Sequence, residues 1–357
     1  MPAPLVFVRQ GRGWRGEGPI ERGEFHGPRL YAEARAWWEA SLAHRESARE
    51  AAVAFGAFPF DTASPVGASL LVPERAVRID GAVPHLGTSP LPAAALRPGA
   101  MSGTAYREAV ARLADEIRAG GVQKVVLARD VLIEPQGPVD EAALVDRLAA
   151  AHPAASVFAV DGLIGASPET LVTVHDGHVT ARVLAGTAAP GEGTRLRDSA
   201  KDLAEHAFAV DSVLTALRPH LADLRSSPEP FVLELPHLTH LATDVAGTIA
   251  DGADVLDLVE ALHPTAAVAG APTSLAIDRI RELEAIDRGR YAGPVGWMNA
   301  RGDGEWAIAL RCAQREADGR FRAFAGAGIM AASDPAGELA ETALKLRPIL
   351  EAFGVSA

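Results

Sequence analysis

Near the C-terminal end of the chain, Glu338 and Glu341 stand three residues apart and Lys345 follows four beyond Glu341. On a helix these three side chains project from roughly one face. Asp202 and Glu205 repeat the three-residue carboxylate spacing in a second helix-forming run, beside Lys201 and His206. If the two helices face each other, four carboxylates meet and their repulsion demands a divalent cation. All-oxygen ligation of that kind suits Mg2+ over zinc or copper. The same spacing also serves two solvated helix faces with an ordinary Glu-to-Lys pair, worth only about 0.2–0.5 kcal/mol.

Lysine usage bears on that choice. Of 34 Lys and Arg residues only Lys124, Lys201 and Lys345 are lysines. A chain that has replaced nearly every surface Lys by Arg retains Lys where a compact ammonium, or an amine able to lose its proton, is needed. Glu169 follows Pro168 in an otherwise apolar region and is either a solvent-facing turn residue or a carboxyl whose pKa is raised by burial. Small residues in Leu184–Gly191, Gly186 and Thr187 among them, let backbone approach a ligand closely. His237 and His240 lie in a strand region where a histidine is as readily structural as catalytic; His240, in LTHLAT, is the better candidate. Gly326–Ala331, GAGIMA, fits a dinucleotide fingerprint in form, but it follows a hairpin strand where a βαβ unit is required, so that reading is set aside.

Elements must carry these residues to one place. Asp334-Pro335 supplies an N-cap and a Pro at the first helical position for the helix bearing Glu338, Glu341 and Lys345. Strands are expected at 4–8, 51–60, 68–80 and 123–134, with Lys124, Val126 and Ala128 on one face of the last. Helices are expected at 28–49, 104–120, 139–151, 199–217, 253–262 and 273–288. Short strands fill 156–184, a strand region spans 231–249, and 290–329 reads as an antiparallel meander turning at GDG and ADGR. Three prolines make 89–103 the best boundary candidate, and no chemistry is visible before it.

Composition limits the classes of function. A chain of 357 residues with 48% hydrophobic content has ample material for a large core. The net charge of -12, with no Lys/Arg-rich block, argues against a nucleic-acid or anionic-membrane partner. Cys312 is the single cysteine, which rules out an intramolecular disulfide and a cysteine-rich zinc site. The N-terminal apolar run is too short for a signal peptide and no apolar run reaches 18 residues, so a cytoplasmic protein is expected.

Ten stretches, KVVLAR, GASPE, LAGT, KDLAEH, LTHLAT, LHPTAAVAGAP, YAGPVGW, ALRCA, FAGAGI and ELAETALKL, occur in this order. Together they resemble the chorismate-utilising enzymes, a family that includes anthranilate, aminodeoxychorismate, isochorismate and salicylate synthases. The resemblance covers about residues 104–354, the catalytic motif region, and is loose over 1–103, a divergent N-terminal part. It implies a single large α/β (α+β) domain over 1–357, built from mostly antiparallel sheets around a cleft. It further implies chorismate as substrate and Mg2+ between helix carboxylates and the ring carboxylate. Glu205 and Glu341 match the ligand positions, with Asp202 and Glu338 close by; Asp202 stands where some members carry Glu.

Within that family the ammonia users lack a lysine at the position of Lys124, and those forming a covalent adduct carry Lys in place of Ala185. This chain has Lys124 and Ala185, so it resembles a water user. Lys124 is then the base and Glu169 the acid for adding water at C2 and expelling the C4 hydroxyl. Arg311 and Tyr291 would bind the enolpyruvyl carboxylate, helped by backbone N–H groups near Gly326 and Gly328, and Lys345 would balance the metal-site carboxylates. The expectation is an isochorismate synthase, an isomerase of menaquinone or siderophore biosynthesis, acting as a monomer without a glutamine amidotransferase subunit. A salicylate synthase, which goes on to eliminate pyruvate, and a catalytically silent chorismate-binding protein are the alternatives.

Overall fold

A computed structural model describes residues 3–45, 49–81, 86–87, 90–188, 191–234, 239–250 and 252–355, apart from the side chains of Thr187, Lys201 and Glu205. His237 lies outside the described residues. Every strand pairing among them is antiparallel, and the pairings trace one continuous ladder. From its first edge, Ala94–Pro98 pairs with Lys124–Pro135, which pairs with Phe321–Ile329. Cys312–Arg315, Leu163–Ser167 and Ser156–Val160 follow. Next stand Val6–Arg9, Arg12–Phe25, Ala68–Asp80 and Val53–Ala57. Pro294–Asn299, Gly304–Ile308, Thr170–His175, His178–Ala188 and Thr239–Thr248 complete the path, with Arg225–Ser226 and Phe231–Glu234 on its last strand.

The ladder folds back so that its halves face each other. One core gathers Leu127, Phe158 and Leu163 from the first half, Phe7 and Phe55 from the strands between the halves, and Val172 and Trp306 from the second half. The outer face of the first half is covered by helices Glu141–Ala151 and Pro335–Ala352, whose Leu144, Leu148, Leu346 and Ile349 pack on Val131, Ile133, Val157 and Ala323. Covered on both faces, the Lys124 strand reads as a nearly unbroken apolar run, KVVLARDVLIE, instead of alternating. Its polar exceptions are tied down, Asp130 accepting from the backbone N–H of Ala100 and Met101 and pairing with Arg322.

Most expected elements are present with shifted ends. The first helix is shorter than 28–49, spanning Leu30–Ala43, and the helix expected over 273–288 stops at Leu283. The Tyr106 helix spans Gly103–Ala119 and is capped by the Ser102 side chain, which accepts from Ala105 N–H; Thr104 is already inside it. The loop expected as a boundary at 89–103 contains Ala94–Pro98, paired to the Lys124 strand, so it does not separate two bodies. Residues before it supply four strands in the middle of the ladder, between its halves.

A buried ion pair underlies the Lys124 strand. Arg288 and Glu284 are 4% and 6% exposed and 2.6 Å apart. Arg288 donates to the carbonyls of Val126 and Val268, Glu284 accepts from the Ala128 N–H, and the guanidinium lies 4.3 Å from the Phe60 ring centroid. Glu284→Ala leaves a desolvated guanidinium without its counter-charge, and is expected to lower unfolding free energy by about 3–5 kcal/mol. Urea unfolding of parent and variant checks this; coincident midpoints would show that the backbone bonds to Arg288 suffice alone.

Candidate active site

A cavity of about 730 Å3 opens where the halves of the ladder meet. Of the candidates named from sequence, Lys124, Glu169, Gly186, Asp202, His240, Tyr291, Arg311, Gly326, Gly328, Glu338, Glu341 and Lys345 all line it. The side chains of Thr187, Lys201 and Glu205 and the whole of His237 lie outside the described residues; the Thr187 backbone pairs with His240. One fully described carboxylate from the second helix, Asp202, therefore shares a cavity with both from the last.

Glu169 and Arg311 occupy equivalent points in the topology. The chain leaves the first half of the ladder after Ser167 and joins the second at Thr170, and it makes the reverse crossing between Ile308 and Cys312. The crossings are bonded to each other: Ile308 N–H donates to the Glu169 carbonyl at 3.0 Å, the Ser167 hydroxyl to the Ile308 carbonyl at 2.6 Å, and Ala166 N–H to the Arg311 carbonyl at 3.3 Å. Arg311 and Ala292, both on the cavity wall, have φ of 50° and 62°. For side chains with a Cβ that region costs about 1–2 kcal/mol each, strain of the kind that clusters at functional sites.

The Lys124 side chain packs against Gly328 of the neighbouring strand. The Val126 N–H bonds Ala269 and the Ala128 N–H bonds Glu284, both away from that neighbour. Their partners Gly328 and Gly326 thus form the non-hydrogen-bonded pairs of the antiparallel ladder, with N–H groups turned from the Lys124 strand. The strand on their other side pairs only up to Ala323, leaving those N–H groups facing the cavity. A Cβ on Gly328 would come within 2.8 Å of Lys124 Cε. The register also disposes of the dinucleotide fingerprint, since GAG belongs to an antiparallel pair.

Charges in the cavity are mixed. Lys345 bonds Glu341 at 2.6 Å and the Gly326 carbonyl at 3.0 Å, and burial lowers its pKa against the pull of Glu341. Glu338 accepts from the Ser333 hydroxyl at 2.6 Å, while burial and the Glu341 charge raise its pKa. Burial likewise raises that of Glu169, opposed by Arg311, Lys124 and Lys345. Tyr291 is pushed up to about 12 by burial and stacks on Phe324 with centroids 5.1 Å apart. His240 is lowered by burial and bonds the Gly186 backbone. Among the described residues, the acidic group with ligand atoms within 4.8 Å of one another is elsewhere, at His175, Asp176 and Asp303. There Asp303 is already engaged by Asn299, Arg301 and the Asp176 N–H.

Arg288 is not among the residues singled out in the sequence, and the structure gives His206 and Gly186 supporting roles. Arg288 lines the cavity, although nothing in the sequence around it marks it out from the other arginines. His206, 2% exposed, bridges the Ala185 carbonyl at 3.1 Å and the Thr243 hydroxyl at 2.7 Å, fixing the Asp202 helix against two strands. Gly186, at φ 75° in the bulge between Ala185 and Thr187, supplies the left-handed backbone conformation that the bulge uses. A tight backbone approach explains Gly270, whose added Cβ would lie 2.1 Å from the Lys124 carbonyl.

Residues 86–354 match the chorismate binding enzyme family. The putative isochorismate synthase MenF of Mycobacterium tuberculosis is 40% identical over 332 residues, 85% of this chain and 87% of that protein. A crystal structure of a putative 2,3-dihydroxybenzoate-specific isochorismate synthase, DhbC from Bacillus anthracis, superposes with a TM-score of 0.86 at 31% identity, covering 99% of this chain and 97% of that one. MenF, the menaquinone-specific isochorismate synthase from Escherichia coli, superposes at 0.80 with 25% identity, covering 98% and 88%.

Gly328→Ala is expected to displace the Lys124 amine while the fold holds, because the new methyl meets the flexible end of a lysine. A crystal structure of the variant with a matching melting curve checks this; an unmoved Lys124 would mean that the strand had shifted instead.

Proposed function

Because this chain belongs to the chorismate binding enzyme family, we propose that it is an isochorismate synthase in which Lys124 and Glu169 act as base and acid on chorismate. The observation that carries the reading is their meeting in one cavity with Arg311, at the crossing of the two half-ladders. Water is a poor nucleophile and hydroxide a poor leaving group, so the reaction needs proton removal at one side of the ring and proton delivery at the other. Lys124 takes a proton from water as its oxygen bonds C2, both ring double bonds shift by one position, and the C4 hydroxyl leaves with the proton of Glu169. A buried, raised carboxyl is a suitable donor. Arg311, the Tyr291 hydroxyl and the outward N–H groups of Gly326 and Gly328 form a site for the enolpyruvyl carboxylate.

Asp202, Glu338 and Glu341 offer only oxygen to the cavity, where burial and the neighbouring Glu341 charge raise the pKa of Glu338. That donor set fits Mg2+, with Glu205 as a further ligand. Bound there, the ion would neutralise the ring carboxylate. Lys345 holds Glu341 in place and His240 bonds the Gly186 backbone of the facing strand. The activity uses water, so no amidotransferase subunit enters the proposal, and the protein is taken to act as a monomer. Among the described residues no helix is long and apolar enough to cross a membrane.

Incubation with chorismate and Mg2+ at neutral pH, without ammonium, should give a reversible mixture of chorismate and isochorismate, and excess EDTA should stop it. Lys124→Arg should lose about 10²–10⁴-fold in rate, since a guanidinium retains the charge but cannot serve as base. Accumulating salicylate with matching pyruvate would favour a salicylate synthase, and binding without product a silent binder. The pH profile provides a separate check. Glu169 must be protonated to donate, and burial extends its protonated range upward, so kcat/KM should fall on the alkaline side as that raised pKa is passed. In Glu169→Gln turnover should collapse with chorismate binding retained; an unchanged alkaline limb in its residual rate would remove Glu169 from that role.

A further inference from the structure

The helix Pro335–Ala352 is held unevenly along its length. Its buried apolar residues, Leu346, Ile349, Leu350 and Ala352, all follow Lys345, and Arg147 donates to the Ala352 carbonyl at 3.1 Å. Residues 335–345, which carry Glu338, Glu341 and Lys345 into the cavity, have a single buried side chain, Thr342. Pro348, inside the helix, has no N–H to offer the Leu344 carbonyl, and its ring crowds that carbonyl, which loosens the joint between the two parts. Apolar packing thus fixes the end of the helix, while its start is held by polar contacts. Lys345 supplies one, to the Gly326 carbonyl at 3.0 Å, and Arg118 holds the Ala331 carbonyl ahead of the helix at 3.2 Å.

Arg129 supplies the contact between these two. It stands on the strand Lys124–Pro135, and its Nε donates to Thr342 Oγ1 at 2.7 Å. The Thr342 hydroxyl gives its own proton to the Leu339 carbonyl at 2.7 Å, so its oxygen is free to accept from the guanidinium. Burial lowers the pKa of Arg129, and among the described residues no carboxylate forms an ion pair with it; the adjacent Asp130 is taken by Arg322. A half-buried guanidinium with a hydroxyl in place of a counter-charge is less stabilising than a well-packed apolar residue. What the bond joins accounts for its presence: the strand of Lys124 and the helix of Glu341.

We propose that Arg129 is a positioning residue, which through Thr342 holds the carboxylate-bearing start of this helix in place against the strand that carries Lys124. Its catalytic consequence rests on the function assigned above; the hold itself does not. Neither Arg129 nor Thr342 lines the cavity, so each acts through other residues. Without the bond, residues 335–345 move about the joint at Pro348, and Glu338 and Glu341 lose their fixed distance from Lys124. Oxygen donors that are no longer preset hold a divalent cation less well, and a small misplacement of reacting groups is enough to slow the chemistry.

Substitutions at Thr342 separate the bond from packing. Thr342→Val keeps the volume and loses the oxygen, Thr342→Ser keeps the oxygen and loses a methyl, and Arg129→Met removes the donor but keeps an apolar stem. Amide hydrogen exchange of the unliganded protein, read by peptide mass spectrometry, should be several-fold faster over 336–345 in Thr342→Val and Arg129→Met. Residues 349–353 should exchange at the parent rate, and Thr342→Ser should match the parent throughout. Unchanged exchange over 336–345 in the folded variants would overturn the proposal, as would an equal rise along the whole helix or a Thr342→Ser that behaves like Thr342→Val. In turnover of chorismate, Thr342→Val and Arg129→Met should need several-fold more Mg2+ for half-maximal rate, and Arg129→Met should add nothing in the Thr342→Val background. An unchanged Mg2+ requirement beside faster exchange would remove the catalytic consequence. Failure of the parent protein to make isochorismate would count against the proposed function, while the exchange result would still decide whether Arg129 holds the helix.

Discussion

The position of Lys124 depends on the ion pair between Glu284 and Arg288. A charged pair 2.6 Å apart with almost no solvent contact is expensive to bury, and it persists because nearly every donor and acceptor on it is used. The used partners are backbone groups of the strand that carries Lys124 and of the segment that ends in Gly270. Turning the Val126 and Ala128 backbone groups toward this pair leaves Gly326 and Gly328 as non-hydrogen-bonded partners, and so aims their N–H groups at the cavity. One buried interaction thereby orients both a lysine and the backbone donors facing it.

A second constraint is topological. Glu169 and Arg311 sit where the chain crosses between half-ladders, in opposite directions, and the crossings are tied by the Ser167 hydroxyl and the Ile308 backbone. Crossing points cannot satisfy their backbone within a ladder, which accounts both for the left-handed φ of Arg311 and for side chains free to face the cavity. The carboxylates come instead from helices, where a three-residue spacing presents two oxygens on one side. Strand register, crossing and helix face therefore each contribute a different kind of group.

Much of the site was legible in the chain because its chemistry is local. Lys124 and Lys345 stand out by the scarcity of lysine, and the helical spacing of Glu338, Glu341 and Lys345 survives folding unchanged. Gly186, Gly326 and Gly328 occur as small-residue runs whose need for close approach is visible in sequence. The antiparallel character of 290–329 and the cap at Asp334 followed from turn and helix chemistry. What could not be read were relations between distant segments. Arg288 looks like any other arginine until burial distinguishes it. The stretch 89–103 carries boundary-like prolines yet supplies an edge strand, because pairing with residues beyond 130 overrides local composition. The first hundred residues, which display no chemistry, join the halves of the ladder that carry it.

That placement has a consequence for how the protein comes into being. Val53–Ala57 finds its partner at Pro294–Asn299, and Val6–Arg9 finds one of its own at Ser156–Val160. At about 5–20 residues per second, tens of seconds separate the emergence of Val53–Ala57 from that of its partner. Through that interval apolar strands such as VFVR, VAFGA and ASLLV have exposed edges, the kind of surface on which chains associate wrongly. Hairpins such as Ser156–Val160 with Leu163–Ser167 are local, but the pairings that join them into one ladder link distant segments, so completion waits for nearly the whole chain. A nascent chain of this protein therefore depends on protection during synthesis more heavily than a helical protein of equal length.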